Sequence, residues 1–165
     1  MEQQVILLNG PSSSGKSTLA KALQGIILNE GHEIYEVVSI DDFMKILPTE
    51  KIYEDDVFEI SNDICKRALE ILNAGNGVVI DHVITSERIF KQLLDNLSSY
   101  SLRTVHVTCP LDILKSREIE RGDRCLGSAE DSAEYLFPKE GYDLVVDTAI
   151  KSPVENARMI FNEMF

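Results

Sequence analysis

The stretch Val5-Ile-Leu-Leu-Asn-Gly10-Pro-Ser-Ser-Ser-Gly-Lys-Ser-Thr18 decides the fold of this chain. Residues 5–9 form a short apolar run ended by Gly-Pro, which is typical of a buried strand. Residues 16–29 carry apolar side chains at helical period, which predicts a helix. The segment between them fits the phosphate-binding pattern Gly-x4-Gly-Lys-Ser/Thr at every fixed position, in the strand–loop–helix context that the pattern requires.

Each part of this loop has a chemical reason. Gly15 and the small residues before it let the backbone wrap closely, so that N–H groups point at a β-phosphate near a helix N-terminus. Lys16 carries a positive charge to the β- and γ-phosphates, and Ser17 offers its hydroxyl to Mg²⁺. The residues predicted to bind the nucleotide here are Gly10, Pro11, Ser12, Ser13, Ser14, Gly15, Lys16, Ser17 and Thr18.

The same alternation of strand and helix continues to the end of the chain. Further strands are predicted at residues 34–40, 78–81, 103–109 and 142–147, and further helices at 55–73, 86–97, 111–121 and 153–164. A helical stretch at residues 43–47 is broken by Pro48, and residues 122–141 are predicted to be a mobile connection with some helix. Five strands separated by helices predict an α/β domain, residues 1–165, with a parallel sheet covered on both faces.

Composition limits the partners of this domain. The chain has 165 residues, with 28 acidic and 16 basic side chains and a net charge of −12. This charge opposes nucleic-acid binding, and the apolar runs are too short to span a membrane. No signal-peptide pattern precedes Val5, and Cys65, Cys109 and Cys125 lie far apart, which predicts a cytoplasmic protein with reduced thiols. His32, His82 and His106 show no metal-ligand spacing, and the oligomeric state stays open.

Carboxylates follow two of the predicted strands. Asp81 ends the third strand, where a second group that helps to hold Mg²⁺ is expected. Alternatively, an aspartate at a strand end can cap the next loop. Asp41 and Asp42 follow the second strand at the sheet edge where α/β proteins bind ligands. One of them could accept the proton of a substrate hydroxyl, or the pair could cap the next helix, and spacing does not separate these alternatives.

Three of the seven arginines, Arg117, Arg121 and Arg124, lie within eight residues. Arginine suits phosphate oxygens, and a mobile segment can bring it over a transferring phosphoryl group. The alternative is a solvated helix face in which Glu118 and Glu120 pair with the arginines. Six apolar side chains could either line an acceptor pocket beside Asp41 or belong to the core: Phe43, Met44, Ile46, Leu47, Tyr53 and Phe58.

Together these residues resemble the chloramphenicol phosphotransferase family of P-loop kinases along most of the chain. The matching pieces are Ile6-Leu-Leu-Asn-Gly10 with Ser13-Ser-Gly-Lys-Ser17, Ile40-Asp41 with Pro48, Arg117-Glu118 with Arg121-Gly-Asp-Arg124, and Tyr142-Asp143 with Val146-Asp-Thr148. The resemblance implies a three-layer α/β/α fold with strand order 2-3-1-4-5 and a lid at about residues 117–140. It also implies Asp41 as the catalytic carboxylate and Arg121 and Arg124 as lid arginines.

The expected activity is transfer of the γ-phosphoryl group of ATP, with Mg²⁺, to a hydroxyl of a small molecule. Lys16, Asp41, Arg121 and Arg124 would be catalytic, Ser17 and Asp81 would hold the metal, and Arg117 would lie near the nucleotide. Residues 43–62 and 83–100 are outside the matching pieces, so the acceptor stays open. A nucleoside, a sugar acid or a nucleotide sugar are alternative acceptors, and a nucleotide-dependent ATPase or switch is the alternative from another class.

Overall fold

Five parallel strands form the centre of the molecule, in a computed structural model that describes residues 3–44 and 51–165. The strands are β1 Gln4–Asn9, β2 Tyr35–Ser39, β3 Gly77–His82, β4 Ser101–Thr108 and β5 Leu144–Asp147. They lie in the order β2-β3-β1-β4-β5, and every neighbouring pair is parallel. The strand order implied by the family resemblance is therefore confirmed.

In the described part of the chain, six helices connect and cover these strands. They are α1 Lys16–Asn29, α2 Glu54–Asn73, α3 Glu87–Asn96, α4 Leu111–Arg121, α5 Ser128–Tyr135 and α6 Pro153–Met164, and a short 3₁₀ turn, Ile40–Asp42, follows β2. Serine side chains cap two of these helices: Ser86 Oγ accepts a hydrogen bond from the Ile89 amide at 3.2 Å, and Ser152 Oγ accepts one from the Glu155 amide at 3.2 Å. These bonds satisfy amides that a helix N-terminus leaves without partners.

The sheet separates two apolar cores. Because successive side chains of a strand point to opposite faces, Val5 and Leu7 of β1 pack on one side while Ile6 and Leu8 pack on the other. The first core includes the buried sides of α2 and α3, and the second includes those of α1 and α6. Burial on both faces explains why β1 and β3 are nearly continuous apolar runs. None of the helices among residues 3–44 and 51–165 is both long and apolar enough to cross a membrane.

The structure differs from the predicted elements at two places and defines the helix expected at a third. Phe43 and Met44 are not helical: their amides both bond to the Ile40 carbonyl and close a single turn that does not continue as a helix through Met44. The rest of that predicted helix, with Ile46, Leu47 and Pro48, lies outside the described residues. Within residues 122–141 a regular helix, α5, forms from Ser128 to Tyr135. β5 begins at Leu144, since Tyr142 turns aside to accept a hydrogen bond from Asn9 at 2.9 Å.

Candidate active site

The loop between β1 and α1 folds as its sequence predicts. Gly15, which precedes α1, has a left-handed backbone (φ 88°), and Ser13 shares this unusual conformation (φ 68°). At Gly10, a Cβ atom would lie 2.4 Å from the Val107 carbonyl oxygen of β4. Glycine at this position therefore lets the loop pass directly over the neighbouring strand.

Lys16 is the first residue of α1, and its ammonium group reaches back to this loop. It is 5% exposed, and its Nζ donates hydrogen bonds to the Pro11 carbonyl at 2.9 Å and to Ser14 Oγ at 3.3 Å. Burial lowers the pKa of Lys16, while the carboxylates of Asp81 and Asp41 oppose this shift. Because the nearby carboxylates offset only part of the cost of burying the ammonium charge, this site favours the binding of an anion.

Asp81 meets the start of α1 across the sheet edge. Its Oδ2 accepts hydrogen bonds from Ser17 Oγ at 2.7 Å and from Ser39 Oγ at 2.8 Å, and the residue is 2% exposed. These two contacts join the carboxylate to α1 and to the end of β2. Ser17 and Asp81, which are 64 residues apart, thus form one cluster of oxygen atoms. Ser39 is a member that the sequence analysis missed, since a single serine at a strand end has no distinguishing pattern.

Asp41 contacts both arginines of the predicted lid. Arg124 Nη2 donates to Asp41 Oδ1 at 2.6 Å, and Arg121 Nη2 lies 3.7 Å from Asp41 Oδ2. Both arginines also contact Asp123, through Arg121 Nε at 3.0 Å and Arg124 Nη1 at 3.2 Å. Among the described residues, the carboxylates that contact Arg121 and Arg124 are those of Asp41 and Asp123, and Asp42 is not one of them. The structure therefore distinguishes the two neighbouring aspartates, which spacing alone left equivalent.

Arg117 has a different place from the other two arginines. Its Nη1 donates to the Ser14 carbonyl at 3.3 Å and to Thr148 Oγ1 at 3.0 Å, and its Nη2 donates to the Thr148 carbonyl at 3.1 Å. Thr148 Oγ1 in turn donates to the Ser14 carbonyl at 2.6 Å. Arg117 and Thr148 together support the outer side of the phosphate-binding loop. In the sequence, only the Val146-Asp-Thr148 motif marks Thr148.

Two cavities meet at Asp41. The first, here called the phosphate groove, has a volume of about 640 Å³ and includes Ser13, Lys16, Ser17, Asp81, Arg117 and Arg121 in its lining. The second, here called the side cavity, has a volume of about 540 Å³ and includes Met44, Tyr53, Val57, Arg124, Leu126 and Tyr135. Ser12, Ile40, Asp41 and Val83 line both. Asp41 therefore lies at the boundary that the two cavities share.

The apolar candidates for an acceptor pocket divide between the two roles considered for them. Met44 and Tyr53 line the side cavity. Phe43 and Phe58 pack against the first core, as Met44 also does. Ile46 and Leu47 lie outside the described residues.

The alternative for the arginine cluster was a solvated helix face in which Glu118 and Glu120 pair with the arginines. Glu118 is only 3% exposed, so this alternative is wrong for Glu118.

Comparison with known proteins now identifies the family. The model of the "Chloramphenicol phosphotransferase-like protein" family matches residues 3–164. The chain belongs to this family. The resemblance inferred from the motifs is thereby confirmed, and it extends through the segments in which no motif was matched. A curated Mycobacterium tuberculosis protein named "Putative O-phosphotransferase" is 27% identical to this chain over an alignment of 184 positions, gaps included. The alignment covers 95% of this chain and 80% of that protein.

Solved structures show the same architecture. The APS kinase of M. tuberculosis, solved in complex with AMPPNP and APS, superposes with a TM-score of 0.81 at 18% identity, covering 99% of this chain and 98% of that one. A gluconokinase from Sinorhizobium meliloti gives a TM-score of 0.69 at 18% identity, covering 98% of each chain. At such identities the likeness concerns the fold, and it confirms the three-layer P-loop kinase architecture of this family member.

Proposed function

We propose that this chain is an ATP- and Mg²⁺-dependent kinase that transfers the γ-phosphoryl group to a hydroxyl of a small molecule. The observation that carries the proposal is the position of Asp41, a carboxylate that lines both the phosphate groove and the side cavity. A hydroxyl kinase needs a carboxylate at the junction of its phosphate donor and its acceptor. Family membership and the kinase fold support the same conclusion.

The phosphate groove has the charges that a nucleoside triphosphate requires. Lys16 lies at its base, Arg117 and Arg121 line its side, and the amides of residues 13–16 precede and begin α1. Backbone N–H groups at a helix N-terminus favour a phosphate, and lysine adds a point charge. ATP would replace the weak acceptors that Lys16 now uses, the Pro11 carbonyl and Ser14 Oγ.

Ser17 and Asp81 fit a magnesium site. Mg²⁺ prefers hard oxygen ligands and commonly binds to one or two protein groups, with phosphate and water completing its shell. A hydroxyl and a buried carboxylate that already lie 2.7 Å apart offer such oxygens. Within residues 3–44 and 51–165 no three His, Cys, Asp or Glu side chains form a metal site, which fits a metal held jointly with the substrate phosphates. When bound, Mg²⁺ neutralises charge on the phosphate oxygens.

The proposed reaction uses Asp41 as the base. The acceptor hydroxyl oxygen attacks the γ-phosphorus; the new O–P bond forms as the bond to the β,γ-bridging oxygen breaks, and ADP leaves. The hydroxyl proton passes to the Asp41 carboxylate. Lys16, Arg121 and Arg124 stabilise the negative charge on the phosphoryl oxygens, for which Arg121 and Arg124 must exchange their ion pairs with Asp41 for contacts to phosphate.

The side cavity is proposed as the acceptor site. Its described lining combines apolar side chains, such as Met44, Val57 and Leu126, with polar groups near Asp41. A largely apolar wall with a few polar groups is typical of a site for a small organic molecule. A chloramphenicol-like alcohol is the acceptor that the family name suggests, and a nucleoside, sugar acid or nucleotide sugar are the alternatives to be tested beside it.

The test is an acceptor screen with γ-labelled ATP and Mg²⁺. Chloramphenicol, nucleosides, gluconate and nucleotide sugars are incubated separately with the purified protein, and one reaction contains no acceptor. We expect labelled phosphate on one acceptor class and slow hydrolysis without acceptor. Lys16→Ala serves as the control and should abolish transfer, since it removes the charge at the β- and γ-phosphates. Fast hydrolysis that no acceptor changes would instead identify a nucleotide-dependent ATPase.

A further inference from the structure

Glu118 is a charged residue in an unexpected position. It belongs to α4, whose other polar side chains are largely exposed, yet it is 3% exposed itself. Burying a carboxylate is costly unless it is paired or hydrogen-bonded. The partners of this carboxylate therefore indicate why it is buried.

The partners are the first amides of the lid helix α5. Glu118 Oε1 accepts a hydrogen bond from the Ala129 amide at 2.8 Å, and Oε2 accepts one from the Gly127 amide at 3.1 Å. Helix N-termini have amides without internal partners and a partial positive charge, so a carboxylate is stabilised there. In the part of the chain that the structure describes, no cationic side chain pairs with Glu118.

The helix that Glu118 holds forms a wall of the side cavity. Ser128, Asp131, Ser132 and Tyr135 of α5 all line that cavity. Ser132 Oγ also accepts a hydrogen bond from the Ser12 amide of the phosphate-binding loop at 2.9 Å. Because α5 has only eight residues, its position must be set by tertiary contacts rather than by its own helix propensity.

We propose that Glu118 is a positioning residue that fixes α5 on α4, and so sets the acceptor wall against the phosphate-binding loop. The same helix α4 carries Arg117, which supports the phosphate-binding loop, and Arg121, which reaches Asp41. Glu118 therefore links the groups that face phosphate to the wall that faces the acceptor. The kinetic part of this proposal rests on the proposed function, while the structural part does not.

The test compares Glu118→Gln with Glu130→Gln. Glutamine retains one acceptor oxygen but turns an NH₂ group toward a backbone N–H, so one of the two bonds is lost. Glu130 forms the exposed ion pair with Lys115 that also joins α4 to α5, at 3.2 Å, and so provides a matched control. The readouts are amide hydrogen exchange of residues 127–135 with and without AMPPNP, AMPPNP affinity, and acceptor KM and kcat.

For Glu118→Gln we expect exchange in residues 127–135 to accelerate about tenfold or more, since a buried amide loses its acceptor. AMPPNP affinity should not weaken. The KM of the acceptor found in the screen should rise about tenfold, with a smaller change in kcat, because the wall and not the reacting groups is displaced. Glu130→Gln should match the wild type in all readouts, as exposed ion pairs contribute little.

Wild-type exchange in Glu118→Gln would overturn the proposal, as would an unchanged acceptor KM. If the wild type phosphorylates no acceptor but Glu118→Gln loosens residues 127–135, the proposed function fails and the positioning of α5 is supported. Exchange is measured on folded protein. If the β1 peptides of each variant exchange at the same rate as those of the wild type, the fold is intact.

Discussion

Asp41 lies between two cavities and two arginines, and this position defines its proposed role. Its carboxylate bonds to Arg124 at 2.6 Å and lies 3.7 Å from Arg121. The side chain is 39% exposed, so it stays accessible to a hydroxyl from the side cavity. Asp42 has the same side chain one position later and is exposed as well, but it lines neither cavity. The pair offers a natural comparison of one residue type in two environments.

Replacing Asp41 with asparagine should lower turnover about a hundredfold or more, since the amide cannot accept the hydroxyl proton. Nucleotide affinity should change little, because Lys16 and the loop amides are untouched. Asp42→Asn should leave both quantities at wild-type values. Steady-state kinetics with the acceptor from the screen and AMPPNP titrations measure these effects. An Asp41→Asn variant with wild-type activity would show that Asp41 is not the base.

His82 is a buried residue that makes folding depend on pH without being part of the proposed reaction. Its Nδ1 accepts a hydrogen bond from the Val83 amide at 2.8 Å, so Nε2 carries the hydrogen and donates to Ser61 Oγ at 3.0 Å. Burial and the nearby charge of Lys16 lower the pKa of His82 to about 3. The histidine is therefore neutral at physiological pH and holds the backbone at Val83, which lines both cavities.

This shift predicts acid sensitivity of folding. Between pH 6.5 and about 3 the unfolded chain binds a proton at His82 that the folded chain does not, so stability falls as pH falls through this window. Between pH 7 and 5 the free energy of unfolding of the wild type should fall by about 2 kcal/mol more than that of His82→Gln. Urea unfolding at the two pH values measures the difference. Equal losses in both proteins would contradict the assigned pKa.

At the scale of elements, the phosphate-binding loop depends on its contact with β4. β1 and β4 pair in register, with Asn9 opposite His106, and Gly10 then passes over the Val107 carbonyl. A strand carbonyl in the middle of a sheet cannot move away without breaking its neighbours' hydrogen bonds. The tight approach therefore couples the path of the loop to the position of β4.

Gly10→Ala should lower the free energy of unfolding by about 2 kcal/mol, because its Cβ would overlap the Val107 oxygen. It should also weaken AMPPNP binding as the loop shifts. Gly25→Ala in α1 is the matched control, since no atom lies within 4 Å of its added Cβ. That change should stabilise the protein by about 1 kcal/mol through helix propensity. Denaturant titrations distinguish the two, and equal effects would refute the steric argument.

At the scale of the whole molecule, an acidic protein places four basic side chains together at one edge of the sheet. The net charge is −12, yet Lys16, Arg117 and Arg121 all line the phosphate groove, and Arg124 lies beside it at Asp41. Local charges of this kind attract an anion where global charge does not. The edge is held together by Asn9, which is fully buried and links three distant segments.

Asn9 donates to the Phe137 carbonyl and to Tyr142 Oη, both at 2.9 Å, and accepts from the Ile84 amide at 2.9 Å. Asn9→Ala should therefore destabilise the protein by about 3 kcal/mol, since it leaves buried polar groups without partners. Asn96→Ala, which removes one exposed bond within α3, should have little effect. Thermal unfolding measures both, and similar melting temperatures would show that the network contributes nothing.

The sequence by itself determined the α/β alternation, the phosphate-binding loop and the family, because these depend on local periodicity and on residues at fixed spacing. It also placed Lys16 at the start of α1, Asp41 just after β2, Asp81 near the end of β3, and Arg117 and Arg121 on α4. Only the tertiary structure separated Asp41 from Asp42 by contact. It also showed that Arg117 bonds to Ser14 and Thr148 while Arg121 reaches Asp41. It alone revealed Glu118, Ser132 and Thr148 as partners, since hydrogen bonds between residues far apart in the chain depend on packing and leave no local pattern.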